Sequence, residues 1–289
     1  MTVADNHKPL VSISCITYNH VDFIEEALNG FLMQETDFNF EVLIHDDAST
    51  DGTEEIIRTY QKKFPSIIKP LYEETNQWVK GRKGSAVFNF PRAKGKYIAL
   101  CEGDDYWADP LKLQKQVDFL ENNQDVNICF TRAHLLKNEE FRMHAVPEPF
   151  HVSSFEFIEL IKHYNFIATC TVLFRKPKHF EFPTWFHKLP FGDLGVYKLV
   201  SEGKKVQCID EVMSVYRIHD NGIYSGISRL KKQQNYLRFY TTILPALYSE
   251  EKQIVEQKIK EVAYRISKLK FPNQPLFQKF YNRYLRLKF

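Results

Sequence analysis

"YIALCEGDDYWADP", residues 97–110, runs a short apolar segment straight into an acidic loop. The apolar residues are typical of a buried strand, and Asp109 before a proline is typical of the N-cap of a helix. Between them, Glu102, Asp104 and Asp105 bring three carboxyl groups together. Because carboxylates about 4 to 6 Å apart raise each other's pKa values, the loop predicts a compensating cation or a set of hydrogen-bond donors.

A divalent cation is one interpretation of this loop. Mg²⁺ and Mn²⁺ prefer oxygen ligands and keep positions for water or phosphate, and Asp104 and Asp105 are the best candidate ligands. The alternative is a solvated turn or a helix cap, which is the more common role of an acidic pair in a loop.

The first 130 residues alternate strand-length apolar segments with helix-length amphipathic ones. Strands are expected at 10–16, 40–45, 96–101 and 126–130, and helices at 21–32, from 53 and from 109. This alternation predicts an α/β fold with a mainly parallel sheet flanked by helices. Ligands bind beyond the carboxyl ends of such strands, so the polar clusters at 17–20, 45–53 and 101–105 are expected to share one pocket.

The alternation weakens after residue 150, and the chain is expected to be helical from residue 228. Residues 206–219 fit one strand or a strand pair. A main domain at 1–227 and a helical C-terminal extension at 228–289 are predicted. Val255, Ile259, Val262, Ile266 and Leu269 form a short a/d-type seam in the extension, which favours docking on the core over a coiled coil.

Charge separates the same two regions. Residues 1–227 hold 25 lysines and arginines against 32 aspartates and glutamates, a balance of −7, whereas residues 228–289 hold 14 against 4, a balance of +10. The end of the chain, "FQKFYNRYLRLKF", interleaves aromatic and basic residues, which fits an anionic membrane surface. The alternative is a helix packed on the core or on a second copy of the chain; nucleic-acid binding has no fold motif in its support.

Composition limits the class of protein. The hydrophobic fraction of 44% fits a globular core, and the sequence shows neither a signal peptide nor an apolar run of membrane-spanning length. A cytoplasmic protein is therefore expected, with the inner face of the cell membrane as a further location if the basic segment binds lipid. The five cysteines are widely spaced and are expected to be buried thiols.

Several chemistries lack their usual sequence signature. The chain has no P-loop, no dinucleotide-binding glycine pattern, no H-E-x-x-H and no G-x-S-x-G. In "HDDASTDG", Ser49, Thr50 or Asp51 is expected to cap a helix, whereas Asp46 and Asp47 lie too early for that and are candidate acceptors for a ligand N–H.

Taken in order, four stretches resemble the family 2 glycosyltransferases of the GT-A fold. These are "VSISCITYNH", "EVLIHDDASTDGT", "AKGKYIALCEGDDYWADPLKL" and the late "VYRIH". The resemblance implies an enzyme that uses a nucleotide-diphosphate sugar donor, with UDP the most frequent nucleotide, and Mn²⁺ or Mg²⁺ as cofactor. It further implies a glycan or lipid-linked acceptor and a role in bacterial-type surface polysaccharide synthesis.

Residue by residue, the resemblance implies a donor site. Asp47, helped by Asp46, would bind the base, and Tyr18 would pack against it. Asp104 would meet the ribose or the metal shell, and Asp105 would bind the divalent ion that bridges the donor phosphates.

Two further residues take their roles from the resemblance. His219 lies where the family often has another metal or phosphate contact, although a lone histidine is usually structural. Asp193 aligns with the family's catalytic base, and its structural alternative is a helix cap. The implied reaction is a single inverting displacement in which Asp193 deprotonates an acceptor hydroxyl.

The chain departs from the family pattern at three places. Glu102 stands where aspartate is common, Gly192 replaces the glutamate before Asp193, and Phe88-Asn89 replaces an Arg-Asn pair. The last departure leaves Arg82, Lys83 or Arg92 to neutralise phosphate.

Two other functions remain open at this point. A sugar-phosphate nucleotidyltransferase also assembles a nucleotide, a metal and carboxylates on an α/β sheet, but it usually carries a basic, glycine-rich loop after the first strand. A non-catalytic scaffold with a basic interaction segment is the second alternative.

Overall fold

The computed structural model describes residues 8–82, 84–178, 180–220, 222 and 226–288, with side chains to residue 285. The strands are β1 (Val11–Thr17), β2 (Phe40–Asp46), β3 (Ile68–Tyr72), β4 (Tyr97–Leu100), β5 (Tyr106–Trp107), β6 (Val126–Lys137), β7 (Glu140–Met143), β8 (Val172–Arg175) and β9 (Lys205–Arg217). The α-helices are α1 (Ile24–Leu32), α2 (Thr53–Lys63), α3 (Lys112–Asn122), α4 (Phe157–Lys162), α5 (Thr184–His187), α6 (Asp193–Ser201), α7 (Arg229–Ile243), α8 (Ser249–Lys270) and α9 (Pro275–Lys288).

The chain packs into two compact units. The first contains all of these strands and comprises the residues up to Phe157 together with Phe166–Glu181 and Val196–Ile218. The second comprises Ile158–Asn165, Phe182–Gly195 and the residues from His219 onward. This division does not follow the predicted boundary at residue 227, because the C-terminal helices group with two earlier segments.

One mixed sheet forms the centre of the first unit, in the order β3-β2-β1-β4-β8-β6-β9-β5, with β7 paired to β6. β3, β2, β1 and β4 are mutually parallel, and so are β6 and β9. β8 runs antiparallel to β4 and β6, and β5 runs antiparallel to β9. Since the chain passes from β1 to β2 on one side and later to β4 on the other, the order of strands reverses at β1, which is where open α/β sheets bind ligands.

Helix α1 covers the sheet with one apolar stripe. Ile24, Ala27, Leu28 and Phe31 are buried, at the spacing that places side chains on one helical face. Gly30 lies on the same helix against β5, and a Cβ there would approach the carbonyl oxygen of Trp107 to 2.9 Å. A glycine is needed because the helix backbone rests directly on this short strand.

Two helix caps predicted from the sequence lie at other residues in the structure. Helix α3 begins at Lys112, so the prediction that Asp109 is its N-cap was wrong; the Asp109 side chain instead accepts the N–H of Leu111 at 2.8 Å, closing a turn before the helix. Helix α2 begins at Thr53, and Asp51 Oδ1 accepts the Thr53 N–H at 3.0 Å. The N-cap itself is Gly52 and has no side-chain hydrogen bond, so the prediction that one residue of 49–51 caps this helix was also wrong.

The second unit is largely helical in its C-terminal part. α8 buries Val255, Ile259, Val262 and Ile266, as the seam predicts, whereas Leu269 is exposed. α8 packs against both α7 and α9. No helix in the described ranges combines the length and apolar character needed to cross a bilayer.

All five cysteines are buried free thiols, as predicted.

Candidate functional site

The acidic loop after β4 is held against the end of β1 by backbone hydrogen bonds. The N–H of Cys101 donates to Ser14 O at 3.2 Å, and the N–H of Gly103 donates to Ile16 O at 2.9 Å. A Cβ on Gly103 would lie 2.7 Å from Thr17 Oγ1, so only glycine allows this approach. The predicted polar clusters of β1 and β4 therefore lie side by side at the carboxyl edge of the sheet.

Asp104 and Asp105 occupy different environments. The Asp104 side chain is 20% exposed, and its Oδ2 lies 3.8 Å from Nε2 of His20. Asp105 is only 1% exposed, and its Oδ1 accepts the N–H of Arg217 at 2.8 Å. Burial, followed by the charges of Asp104 and Glu102, raises the pKa of Asp105 well above its ordinary value.

Arg217 connects the acidic loop to helix α1. Its guanidinium donates to the carbonyl oxygen of Asp104 at 2.9 Å and pairs with Glu26. The same group lies 4.6 Å from the ring centre of Tyr106 and 5.2 Å from that of Phe23. A planar cation with several donors suits this combination of carbonyl, carboxylate and aromatic partners.

The end of β2 brings two more carboxyl groups to the same edge. The N–H of Asp47 donates to Thr17 O at 3.0 Å, which ties this end to β1. Asp46 is fully buried and accepts the hydroxyl of Ser49, and burial raises its pKa. Oδ2 of Asp46 is buried and has no hydrogen-bond partner among the described residues.

Asp47 anchors a surface loop. Its Oδ1 accepts the N–H of Gln77 at 2.6 Å, and its Oδ2 accepts the N–H of Trp78 at 3.0 Å. Each of its carboxylate oxygens thus already has one N–H donor, and each keeps a lone pair for a further partner. Tyr18, which follows β1, is 44% exposed and presents its ring to solvent.

The predicted phosphate contacts have separate locations. Arg82 lies at the end of the loop held by Asp47, with Nη1 3.4 Å from Oε1 of Gln77. Arg92 donates to the carbonyl oxygens of Ile44 and Lys69 at 2.7 and 2.8 Å. Arg92 is therefore committed to the strands β2 and β3, while Lys83 lies outside the described residues.

Asp193, the predicted base, lies in the second unit at the first position of α6. Its Oδ2 accepts the side-chain amide of Asn165 at 2.6 Å. Burial raises its pKa, and hydrogen bonds from the backbone and from Asn165 act in the opposite direction. A carboxyl group with a raised pKa is a stronger base once ionised, which is the property a general base requires.

His219 also belongs to the second unit, next to residues outside the described part of the chain.

The described residues offer no preformed cluster of three or more His, Cys, Asp or Glu side chains for a metal. The carboxylates of Glu102 and Asp104 nevertheless fit a hard divalent cation that takes most of its ligands from substrate and water. Asp104 is partly exposed, at 20%, so water and a bound substrate can reach its carboxylate.

A family model described as glycosyl transferase family 2 matches residues 12–180. The chain belongs to glycosyl transferase family 2. This confirms the family predicted from the four motifs, and the family's members are sugar-transferring enzymes.

Two curated relatives illustrate the range of the family. The chain is 35% identical over 215 residues to an uncharacterised protein of Mycobacterium tuberculosis, covering 74% of this chain and 60% of that protein. It is 28% identical over 236 residues to WfaP of Escherichia coli, covering 79% of this chain and 86% of WfaP. WfaP is named as a UDP-Glc:α-D-GlcNAc-diphosphoundecaprenol β-1,3-glucosyltransferase.

The fold also matches a solved structure. The mannosyltransferase PcManGT of Pyrobaculum calidifontis, in complex with GDP-Man and Mn²⁺, superposes with a TM-score of 0.59 at 17% identity, covering 98% of this chain and 76% of that one. The GT-A fold predicted from the sequence is confirmed.

Sequence reasoning missed two groups that shape the site. Arg217 was quoted only as part of "VYRIH", and its contact with Asp104 spans 113 residues of sequence. No role was predicted for Gly103, although glycine beside a strand end is a signal for close backbone approach.

Proposed function

We propose that this protein transfers a sugar from a nucleotide-diphosphate donor, with a UDP-sugar favoured, to a hydroxyl group of a glycan or lipid-linked acceptor. The observation that carries the proposal is the edge of the sheet where the acidic loop with Asp104 lies beside the carboxyl ends of β1 and β2. Membership of family 2 and the name of WfaP support the same reaction class. Residues 1–227 would contain the transferase domain.

The base of the donor would lie between Tyr18 and Asp47. The exposed ring of Tyr18 offers a stacking surface, and the free lone pairs of Asp47 accept a base N–H. Asp46 would support Asp47 without contacting the base, because its carboxyl group is fully buried and accepts a hydrogen bond from Ser49.

We assign the principal metal-ligand role to Asp104 instead of Asp105. The Asp104 carboxylate is partly exposed, whereas a cation at Asp105 would compete with the N–H of Arg217 inside the protein. His219 remains a proposed supporting ligand, and Glu102, a carboxylate of the same loop, is proposed in addition. A divalent ion, Mn²⁺ or Mg²⁺, when bound, offsets the negative charge on the departing nucleoside diphosphate. Asp105 would then hold the loop in position through Arg217.

Asp193 would serve as the general base of an inverting displacement. Ionised, it accepts the proton of the acceptor hydroxyl as the oxygen attacks the anomeric carbon. The amide of Asn165 holds one carboxylate oxygen, which fixes the orientation of the group. Burial raises the pKa of Asp193, which makes the ionised carboxylate a stronger base.

A lipid-linked acceptor would require contact with a membrane surface, and α9 is the proposed contact. Leu276, Phe277, Phe280 and Tyr284 are exposed on one side of this helix, at 70%, 60%, 72% and 52%. Their spacing places them on one face, beside basic residues of the same helix. Exposed aromatic side chains bordered by basic residues are the composition of interfacial helices. The inner face of the cell membrane is the corresponding proposed location.

The test is a screen of UDP-, GDP- and dTDP-sugars for Mn²⁺-dependent thermal stabilisation. We expect one donor class to raise the melting temperature in the wild type and in Asp118→Asn, an exposed control, but not in Asp104→Asn. Turnover would then release a nucleoside diphosphate. Release of pyrophosphate from a nucleoside triphosphate and a sugar phosphate would identify a nucleotidyltransferase instead, and no response to any donor would favour a scaffold.

A further inference from the structure

A basic groove lies at the amino ends of β1 and β4, the ends opposite to those that carry the acidic loop. Three short lysine-containing segments converge there: "KP" before β1, "KGK" before β4 and "KPK" after β8. They contribute Lys8, Lys94, Lys96, Lys176 and Lys178 to a cavity of about 410 Å³. This volume is in the range of small-molecule sites.

The backbone brings these segments together. The N–H of Tyr97 donates to Leu10 O at 3.0 Å, and the N–H of Lys176 donates to Lys96 O at 2.9 Å. Gly95 lies so close to β1 that a Cβ would approach the Ser12 nitrogen to 2.6 Å. The "KGK" segment therefore forms the floor of the groove, with a lysine on each side of the glycine.

The lysines of the groove are only partly neutralised. Lys96 pairs with Glu121 at 2.5 Å, and the ammonium of Lys176 donates to the carbonyl oxygen of Ala93. Across the described part of the chain, the side chains of Lys8, Lys94 and Lys178 have no recorded hydrogen bond or ion pair. None of the residues that line the groove is acidic.

The concentration of lysines in the groove contrasts with the acidic balance of the region that contains it. Residues 1–227 carry a balance of −7, with 25 basic against 32 acidic residues, yet five lysines from distant segments meet at one concave place. A cleft lined by charge of one sign focuses the electric field and concentrates counter-ions. Repulsion among the ammonium groups would be relieved by a multiply charged anion.

This groove is separate from the donor site. Lys8 and Lys94–Lys96 precede β1 and β4, whereas Tyr18 and the acidic loop follow the same two strands. β1 has seven residues, so its two ends are roughly 20 Å apart. A small ligand bound in the groove therefore lies too far away to contact the proposed sugar-transfer site, and it is a different molecule from the sugar donor.

We propose that the lysine groove is a binding site for a phosphate-bearing anion, distinct from the nucleotide-sugar site. The ligand chemistry is that of a multiply charged phosphate, which several ammonium groups can contact at once. The source is either a free phosphate compound or the headgroup of an anionic lipid. The proposal does not depend on the reaction that the acidic edge performs.

The test uses the full chain and inorganic pyrophosphate as the probe, titrated by calorimetry in EDTA so that metal-dependent binding is suppressed. The variant Lys94→Glu/Lys178→Glu removes two unpaired lysines of the groove. Lys62→Glu/Lys137→Glu makes the same change of net charge at exposed positions elsewhere. We expect wild type and control to bind alike, and the groove variant to bind roughly thirtyfold more weakly or not at all, since two attractive charges become repulsive.

Equal weakening in both double variants would overturn the proposal, because it would show a response to net charge alone. Absence of pyrophosphate binding in the wild type at millimolar concentration would also overturn it. Circular dichroism melting checks that the variants are folded; the groove variant should be at least as stable as the control because like charges have been separated.

A competition experiment distinguishes the two sources. Phosphatidylglycerol vesicles that displace pyrophosphate, while phosphatidylcholine vesicles do not, would identify a lipid headgroup. Failure of both vesicle types to compete would identify a free phosphate ligand, and either result requires the groove.

Discussion

Gly103 offers a direct test of how the acidic edge is built. In Gly103→Ala the new Cβ would lie 2.7 Å from Thr17 Oγ1, 2.9 Å from Thr17 Cβ and 3.0 Å from Ile24 Cδ1. All three atoms belong to well-packed surroundings at the end of β1 and the start of α1. The alanine therefore has to move the acidic loop or its neighbours.

The size of the effect follows from these distances. Ordinary contacts of a Cβ begin at about 3.4 Å, so the loop must shift by several tenths of an ångström. Overpacking of this kind costs roughly 1 to 3 kcal/mol of folding stability. Because the loop carries Asp104, the proposed metal ligand, the same shift should weaken Mn²⁺-dependent donor binding by roughly tenfold, or about 1.4 kcal/mol.

The assay combines chemical unfolding with calorimetric titration of the donor identified by the screen. Thr17→Ala removes Oγ1, the atom that would lie 2.7 Å from the new Cβ of residue 103. It serves as the second single variant of a double-mutant cycle. We expect Gly103→Ala/Thr17→Ala to be more stable than the sum of the single losses, by about 1 kcal/mol, because the two sites are in contact. Strict additivity, or wild-type stability and donor affinity in Gly103→Ala, would refute the close approach of the loop to β1.

Three further predictions address other parts of the chain. Asp193→Asn should keep donor affinity but lose turnover by at least about a hundredfold. Because burial raises the pKa of Asp193, wild-type activity should appear only as the pH rises through that raised value. The folding stability contributed by the protonated carboxyl group is lost over the same rise in pH. Normal turnover of Asp193→Asn would contradict the role of base. Arg217→Lys should raise the Mn²⁺ concentration for half-maximal activity by roughly tenfold, since lysine cannot replace the guanidinium fork that contacts Asp104 and Glu26. The exposed control Arg142→Lys should leave this concentration unchanged. Equal Mn²⁺ dependence of Arg217→Lys and the wild type would exclude a positioning role for Arg217. Leu276→Ser/Phe280→Ser should weaken flotation with anionic vesicles without lowering the melting temperature, because both side chains are exposed. Flotation equal to that of the wild type would remove the membrane role from α9.

The strands that carry the site were predictable because burial on both faces leaves continuous apolar segments. β1, β2 and β4 lie within a residue or so of the predicted positions. β3 was missed because "IKPLY" contains a lysine and a proline, and the strand tolerates them as an edge strand. Residues 205–217 form the single strand β9, whose register against β6 shifts near residues 131–133. Because of these shifts, the side chains of the segment do not alternate regularly between the two faces of the sheet, and the sequence could not decide between one strand and a strand pair.

The roles of Asp104 and Asp105 show why part of the site was beyond prediction. Asp104 lies in a turn and Asp105 leads into β5, and the pair supplies one partly exposed carboxylate and one buried carboxylate. The sequence gives no reason to choose between them, because the choice depends on where the loop meets β9. The backbone of Arg217 supplies an N–H to the inward carboxylate, Asp105, and the side chain of the same residue holds the carbonyl of Asp104. The orientation of the acidic pair is therefore determined by a residue 112 positions further along the chain than Asp105, and only the folded structure brings the two together.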